Sequence, residues 1–333
     1  MKAVVYGEYG QADVLELKEI EKPAIKDDEV LVRVQAATIT PLDHHFLTGS
    51  PFLVRIMAGM LKPRNKVLGT DVSGCVEAVG AAVGRFKPGD EVFGGRSSGG
   101  YAEYAAVPEA ELYLKPADLT FEEAAILPFS GYAALIGLYE LGQLKAGQKV
   151  LINGGSGGVG TLALPVAKML GAQVTAVGSA GSQELMKSLG ADQVINYTEE
   201  DFTQSGQRYD LIYDLSGKRS FAECKQALTS QGIFVTTEFS PSLALQGMWI
   251  SRTGSQKMKP LSPTGPSQET REQFEALLSA GKLKPVIDSC FSLSEVPDAF
   301  RYFEKGHIQG RIVVKVAGNG DMNGDFLHAT NGD

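Results

Sequence analysis

Apolar residues occur along the chain in short runs, and the spacing of those runs changes near residue 120. Up to that point, β-type runs are separated by glycine and proline, which predicts a small barrel-like or sandwich domain of mainly β-structure. The predicted strands cover residues 2–6, 29–36, 71–78, 91–94 and 101–107.

Residues 49–66 interrupt this β-type pattern. Their apolar residues recur at helical spacing and are followed by the basic residues Lys62, Arg64 and Lys66. The spacing predicts a surface helix that packs against the domain by one apolar face. The alternative is a flap that lines a substrate site.

After residue 120 the pattern changes to an alternation of helices and strands. Helices predicted at 121–127 and 131–141 lead into a series of buried strands with helices between them. The predicted strands are residues 150–152, 173–177, 193–195, 211–214 and 232–235. This alternation predicts a doubly wound parallel sheet, whose ligand binds at the carboxyl ends of the strands. The fold class is therefore α/β.

The first strand of this series ends in a glycine-rich turn that is followed by helix-forming residues. Because glycine lacks a Cβ atom, peptide N–H groups can approach a ligand closely, and the start of the next helix adds its positive dipole end. The turn is thus predicted to bind a pyrophosphate. The predicted contact residues are Gly154, Gly155, Ser156, Gly157, Gly158 and Val159.

The last part of the chain returns to β-type runs, with strands predicted at 286–293 and 311–316 around a helix at 294–305. This segment is too short to build a core of its own, so we expect it to complete the first domain. The predicted organisation is a first domain at 1–122, a second at 123–258 and a return segment at 259–316. Residues 317–333 are expected to form a disordered tail.

Composition narrows the possible functions of this 333-residue chain. A formal net charge of −8 disfavours a general surface for nucleic acid or for anionic membranes, although a local basic patch escapes that argument. No signal-peptide core and no run of about 18 uncharged apolar residues occurs, so we expect a cytoplasmic protein. The three cysteines are far apart and predict reduced, buried thiols.

The order of the motifs resembles the medium-chain dehydrogenase/reductase superfamily, and within it the zinc-free branch of quinone-reductase-like proteins. Besides the glycine-rich turn, the resemblance is carried by TPLD at 40–43, LGTDVSG at 68–74, FKPGDEVFG at 86–94, YAEY at 101–104 and LP at 127–128. It implies a GroES-like β domain closed by the carboxyl-terminal segment, a Rossmann domain and a nicotinamide cleft between them. It also implies a homodimer.

The resemblance also bears on zinc, which relatives of this fold hold with Cys, His and carboxylate ligands. Thr40 stands where zinc relatives carry Cys, and residues 69–71 read Gly-Thr-Asp where those relatives carry Gly-His-Glu. We therefore expect no metal site. His44 and His45 are not expected to replace it, because neighbouring residues on an extended loop point in different directions.

Cofactor choice depends on residues 178–182, which follow the second strand of the parallel sheet and contain no acid. An acid there would bind the ribose of NAD and repel a 2′-phosphate, so its absence favours NADPH, with NADH possible. Relatives commonly carry Arg or Lys at the position of Gly181. Further cofactor contacts are expected from Ser130, Ser179, Tyr197, Ser216 and Phe239, with simple packing as the alternative for Tyr197.

Without a metal to polarise an alcohol, reduction of a conjugated acceptor is the easier reaction, because hydrogen-bond donors can stabilise the resulting oxygen anion. We therefore expect an NADPH-dependent enzyme that reduces small hydrophobic quinones or enones. Thr40 and His44 are the candidate catalytic donors, with Asp43 behind them. A hydrogen bond within the loop remains the alternative for Asp43, and solvent exposure the alternative for His44.

Two other functions remain open for the chain. One is a cofactor-binding redox sensor or scaffold with little catalysis, and the other is a zinc-type alcohol dehydrogenase. We expect neither nucleic acid nor a membrane as a partner.

Overall fold

The computed structural model describes residues 1–95, 98–238, 240–261 and 265–316. The chain divides into two compact units. The first contains residues 1–128, 289–306 and the described residues from 312 onwards, and the second contains residues 129–288 and 307–311. Residues 265–288 therefore belong to the second unit, whereas the sequence suggested a return to the first domain from residue 259. The predicted tail, residues 317–333, lies outside the described residues.

The first unit is built mainly from antiparallel strands. Its elements before residue 120 are β1 (Lys2–Val5), β2 (Glu16–Glu19), β3 (Glu29–Ile39), α1 (Pro41–Thr48), α2 (Phe52–Ala58), β4 (Asp71–Val79), β5 (Glu91–Gly95), β6 (Tyr104–Pro108) and β7 (Leu112–Leu114). Strands β3, β4, β5 and β7 are neighbours in one sheet, and β6 also pairs with β3. Alternating buried positions along β3, including Val30, Val32 and Val34, form part of its core.

Two helices in the first unit differ from the sequence expectation. Residues 41–48 form helix α1 rather than an extended loop. Helix α2 ends at Ala58 and contains no buried residue, so the prediction of a helix packed by one apolar face over 49–66 is wrong. Leu53 and Val54 are half-buried, whereas five other apolar side chains of the segment are exposed, namely Phe52, Ile56, Met57, Met60 and Leu61.

The second unit contains a six-stranded parallel sheet. Its elements are α3 (Phe121–Leu135, which begins in the first unit), β8 (Lys149–Asn153), α4 (Gly160–Met169), β9 (Gln173–Gly178), α5 (Gln183–Ser188), β10 (Gln193–Asn196), β11 (Tyr209–Asp214), α6 (Phe221–Cys224), β12 (Leu228–Thr236), α7 (Pro241–Thr253), β13 (Lys257–Pro260) and α8 (Gln268–Ser279). The strand order is β10-β9-β8-β11-β12-β13. This order, in which the chain direction across the sheet reverses beside β8, confirms the predicted doubly wound fold.

Strand β8 lies at the centre of this sheet. Val150, Leu151 and Ile152 are fully buried, as expected for a parallel strand covered on both faces. Strand β13, which contains Lys257 and Lys259, lies at the edge of the sheet.

The carboxyl-terminal segment adds β14 (Ile287–Ser292), α9 (Val296–Lys305) and β15 (Arg311–Lys315). Strand β15 pairs antiparallel with β3, and β14 follows it at the edge, so the first sheet has the order β14-β15-β3-β4-β5-β7. The late strands therefore complete the sheet begun by the first part of the chain, as the GroES-like resemblance implied.

A single helical stretch in the described part of the chain, Phe121–Leu141, has the length and composition to cross a membrane, with a mean hydropathy of 1.4. Of the window tested, 72% is buried inside the structure, which is typical of a core helix. The stretch joins α3 to a π-helical turn at Ile136–Leu141, so the two helices expected from the sequence are one.

The cysteines do not share one environment. Cys224 is buried in the core of the second unit and Cys75 is partly buried, but Cys290 is exposed. The expectation that all three thiols are buried is therefore wrong for Cys290.

Candidate active site

The glycine-rich turn begins where β8 ends. Gly154 has a φ of +93°, a conformation that favours glycine. The amides of Gly154 and Gly155 both donate to the carbonyl of Val177 at 3.0 Å, which ties the turn to β9. A Cβ atom on Gly160 would lie 2.4 Å from the Gly154 carbonyl oxygen, so only glycine fits at the start of α4.

The outer side of the turn is open and rich in donors. A Cβ atom on Gly157 would meet its nearest neighbour, the Gly154 oxygen, only at 3.6 Å. Within the described residues, the amides of Ser156 and Val159 have no hydrogen-bond acceptor. Because these amides stand at the start of α4, where the helix dipole is positive, they suit an anionic ligand.

Arg311 lies beside this turn and is not among the residues predicted from the sequence. Its side chain is buried, and its Nη2 donates to Ser130 Oγ at 2.6 Å. Its guanidinium also lies over the ring of Phe129, 5.4 Å from the ring centre. A Cβ atom on Gly158 would be 2.5 Å from Arg311 Nε, so the absence of a side chain at Gly158 leaves room for the guanidinium.

The backbone around Arg311 is fixed to the turn. The amide of Gly310 donates to the carbonyl of Ser156 at 2.8 Å, and Gly310 forms an isolated parallel bridge with Gly157. The contact joins residues more than 150 positions apart, so no local spacing reveals it. The available sequence signal was a Gly-Arg pair at the start of a predicted strand.

A network of polar side chains connects the ends of β8 and β11. Asn153 Nδ2 donates to Asp214 Oδ1 at 2.8 Å and to Ser216 Oγ at 2.9 Å, and Ser216 Oγ donates to Asp214 Oδ1 at 2.8 Å. Asp214 Oδ2 is buried and has no hydrogen-bond partner among the described residues. Burial raises the pKa of Asp214, while the hydrogen bonds from Ser216 and Asn153 oppose the rise.

Two further predicted cofactor residues follow β9 and β10. Ser179 begins the short turn after β9, where Ser182 Oγ donates to its carbonyl at 2.9 Å. Tyr197 follows β10 and exposes 51% of its surface, so its ring is accessible rather than packed. Gly181 has space for a side chain, since a Cβ atom there would meet only Gln309 Nε2 at 3.9 Å. Phe239 lies outside the described residues.

In the first unit, Thr40 and Asp43 form the amino-terminal cap of α1. Asp43 is fully buried, and its Oδ2 accepts from Thr40 Oγ1 at 2.6 Å and from the Thr40 amide at 2.9 Å. Its Oδ1 accepts from the amides of Gly69 and Thr70, each at 3.1 Å. The sequence signal was Thr-Pro-x-Asp, which is typical of a capping box with proline in the first turn.

This arrangement makes Asp43 a positioning residue for the start of α1 and for the loop at 68–70. Burial raises the pKa of Asp43, and the hydrogen bonds from Thr40 and Gly69 oppose the rise. The loop hydrogen bond considered for Asp43 is thus present. A catalytic role for it stays a prediction.

His44 lies on α1, next to α9. Its Nε2 is 3.2 Å from Glu304 Oε1, and its ring lies 5.7 Å from the ring centre of Phe303. The side chain is 27% exposed. His45 makes a separate contact, with its Nδ1 2.7 Å from the carbonyl oxygen of Ser50.

The predicted residues fall into two groups. The turn residues 154–159 and Ser216 follow the carboxyl ends of β8 and β11, and Ser130 is linked to the turn through Arg311. Ser179 and Tyr197 follow the neighbouring strands β9 and β10. Thr40, Asp43 and His44 form a second group in the first unit. Within the described ranges, no group of three or more His, Cys, Asp or Glu side chains is placed to hold a metal ion.

Comparison with family models finds the two parts of this architecture. Residues 26–117 match the alcohol dehydrogenase GroES-like domain, and residues 189–314 match the family described as zinc-binding dehydrogenase. Together these matches cover more than half of the chain.

Individual relatives are similar over nearly the whole chain. A 2-methylene-furan-3-one reductase of Solanum lycopersicum is 36% identical over 94% of this chain and 79% of its own length. An NADPH-dependent alkenal/one oxidoreductase of Arabidopsis thaliana chloroplasts is 34% identical with the same coverage. The quinone oxidoreductase structure from Coxiella burnetii superposes with a TM-score of 0.84 at 31% identity, covering 95% of this chain and 99% of that one. The chain therefore belongs to the medium-chain dehydrogenase/reductase superfamily, in its zinc-free, quinone-oxidoreductase-like branch.

Proposed function

We propose that the protein is an NADPH-dependent oxidoreductase that reduces quinones or the activated C=C bond of α,β-unsaturated carbonyls. The observation that carries this proposal is the glycine-rich turn with free amides beside the buried cation of Arg311. The names of the relatives support it, since they describe an NADPH-dependent alkenal/one oxidoreductase and a quinone oxidoreductase.

The residues around the turn fit a dinucleotide. Gly157 and the amides of Ser156 and Val159 offer an open surface with hydrogen-bond donors, and Arg311 adds a positive charge for the pyrophosphate. Asp214 lies at the end of β11, next to β8, and its Oδ2 is a buried acceptor without a partner within the described residues. When bound, NADPH would supply a hydride to the quinone or to the β-carbon of the enone.

The start of α1, residues 40–44, carries the polar groups predicted to lie near the substrate. Thr40 is fully buried, and its Oγ1 donates to Asp43 Oδ2 and accepts from the Asp43 amide. His44 is partly exposed, and a ring nitrogen of its imidazole can donate or accept a hydrogen bond. Replacing Thr40 or His44 by Ala tests this segment, and unchanged kcat/KM for both variants would remove it from the mechanism.

The proposed preference for NADPH depends on the absence of an acid at 178–182. A substitution at Gly181 should increase that preference. Gly181→Arg has space for the new side chain and would place a guanidinium where relatives carry one. We expect the KM for NADPH to fall while the KM for NADH is unchanged. A wild-type preference for NADH would overturn the assignment.

The direct test is the consumption of NADPH with a panel of quinones, enals and enones. Turnover of at least one class is expected. Measurable NADPH binding without turnover of any of them would instead favour a redox sensor or scaffold.

We also propose a homodimer in the cytoplasm. Strand β13 lies at the edge of the parallel sheet, and on α7 the side chains Leu245, Met248 and Trp249 share one exposed apolar face. Sedimentation velocity of the wild type and of Trp249→Glu tests this assembly, since a monomeric wild type would contradict it.

A further inference from the structure

The segment at 52–66 carries an exposed apolar cluster. Five large side chains each expose between 52% and 88% of their surface. They are Phe52, Ile56, Met57, Met60 and Leu61. Scattered apolar residues are common on protein surfaces, but a contiguous cluster of this size marks a site of interaction.

Basic residues continue directly from this cluster. Lys62, Arg64 and Lys66 are exposed, and none of the ion pairs between described residues involves them. No Asp or Glu occurs between residues 44 and 70. The flanking acids, Asp43 and Asp71, are buried, so they do not offset the charge at the surface. We call residues 52–66 the basic–apolar patch.

The backbone of the patch is held in place. Tyr9 Oη donates to the Gly59 carbonyl at 2.5 Å, the Arg64 amide donates to the Ala58 carbonyl at 2.8 Å, and Arg55 Nε donates to the Gly49 carbonyl at 3.1 Å. The guanidinium of Arg55 also lies 4.8 Å from the ring centre of Tyr9. The exposure of the apolar side chains therefore belongs to a folded, hydrogen-bonded segment.

The charge of the patch differs from that of the whole protein. The chain has a formal net charge of −8, yet the patch contains four basic residues and no acid. The adjoining segment contributes one exposed acid, Glu8, next to Tyr9. An occupant that is both anionic and apolar is complementary to this surface, and an anionic lipid bilayer has both properties.

We propose that the basic–apolar patch docks the protein onto anionic membrane surfaces. The apolar side chains would enter the boundary between headgroups and acyl chains, while Lys62, Arg64 and Lys66 contact the lipid phosphates. Symmetric pairing with a second copy is disfavoured, because it would bring the same cations of both copies together. The proposal goes beyond the reductase activity and does not depend on it.

Vesicle co-sedimentation of the full chain tests the proposal. We expect binding to vesicles of phosphatidylcholine with about 30% phosphatidylglycerol, loss of binding as salt is raised, and little binding to phosphatidylcholine alone. Replacing Lys62, Arg64 and Lys66 together by Gln should weaken partitioning on the order of 100-fold. Met57→Gln with Leu61→Gln should weaken it about 10-fold or more.

Matched variants separate the patch from general effects of charge and hydrophobicity. Lys87, Lys145 and Lys284 are also exposed, and their joint replacement by Gln makes the same change in net charge elsewhere. Leu17 and Leu114 expose 44% and 58% of their surfaces outside the patch, so Leu17→Gln with Leu114→Gln is the apolar control. Both control proteins should bind vesicles like the wild type, and circular dichroism should give the same Tm for every protein compared.

Three results would overturn the proposal. One is the absence of binding to the anionic vesicles, and another is patch variants that bind as the wild type does. The third is an oligomer in vesicle-free sedimentation that the patch variants dissociate without any change in vesicle binding, which would identify a second copy as the occupant.

Discussion

Each unit contains a buried carboxylate beside its predicted site residues, and the two differ in how they are satisfied. Both oxygens of Asp43 accept hydrogen bonds, from four donors at 2.6 to 3.1 Å. Asp214 receives all of its hydrogen bonds on Oδ1, and its Oδ2 has no partner in the described part of the chain. Asp43 is therefore satisfied on both oxygens, whereas one oxygen of Asp214 is buried without a partner.

The same difference extends to the regions around them. The first turn of α1 and its cap, residues 40–43, hydrogen-bond to one another and to the loop at 68–70, so these polar groups have a structural role. The turn at 154–160 leaves amides without acceptors and has a buried guanidinium beside it. Polar groups that the fold does not satisfy indicate where a ligand binds, so the turn is the stronger candidate for ligand contact.

The largest effect on stability is expected for Asp43→Asn, in the region around residues 40–43 and 68–70, which we call the closed region. An amide cannot accept on both of its polar atoms, so two of the four donors would face an NH₂ group and stay buried without a partner. We expect the free energy of unfolding to fall by about 3 kcal/mol, measured by denaturant titration.

Asp90→Asn is the matched control for Asp43→Asn. Asp90 also accepts from the amide three residues before it, at 3.0 Å from Lys87, but in an exposed turn. Its replacement should change stability by less than about 1 kcal/mol. If Asp43→Asn were as stable as this control, Asp43 would not hold the start of α1 and the loop at 68–70 together.

The second effect, on cofactor binding, is expected for Arg311→Met, beside the turn at 154–160, which we call the open region. Loss of a buried guanidinium beside the turn should weaken NADPH binding by about 2 kcal/mol, or about 30-fold, in calorimetric titration. Arg85→Met is the control, because Arg85 also lies over a phenylalanine ring, that of Phe86 at 5.1 Å, but at the surface. Equal affinity of Arg311→Met and wild type would exclude the cation from the cofactor site.

The two regions were also predictable to different degrees. The turn at 154–160 follows a strand of apolar residues, and local chemistry alone specifies such a strand, turn and helix start. Arg311 lies beside the turn because Gly310 pairs with Gly157, and this contact depends on the tertiary fold. Sequence spacing reports on neighbours along the chain and therefore could not reveal it.

The sequence also contains a local signal for helix α1. Thr40 and Asp43 have the spacing of a capping box, so helix α1 could have been predicted in place of an extended loop. The segment at 52–58 shows the opposite limit. Its helical spacing was read correctly, but the pattern does not say whether an apolar face meets the protein core or another partner.

A third, smaller effect is expected for Gly157→Ala, which tests the open side of the turn. The new methyl group meets protein atoms only at 3.6 Å, so the Tm should stay within a few degrees of the wild type. The same methyl group would occupy space needed by the pyrophosphate and should raise the KM for NADPH about 10-fold. Gly84→Ala, where no atom lies within 4 Å, is the control, and a KM equal to that of the control would place the ligand elsewhere.

The smallest effect is the dependence of stability on pH at Asp214. Because burial raises the pKa of Asp214 in the folded protein, the folded state keeps a proton that the unfolded state has already released. The stabilising contribution of that protonated carboxyl is complete below the unfolded pKa and is lost as pH rises through the folded pKa. Asp214→Asn removes this titration, so its stability relative to the wild type should increase as pH rises from the unfolded pKa through the folded pKa of Asp214.

The measurement is denaturant unfolding of the wild type and of Asp214→Asn across the same range of pH. A difference between Asp214→Asn and the wild type that stays constant with pH would mean that burial does not raise the pKa of Asp214 in the folded protein. The contrast between the closed and the open region would then reduce to hydrogen-bond geometry alone.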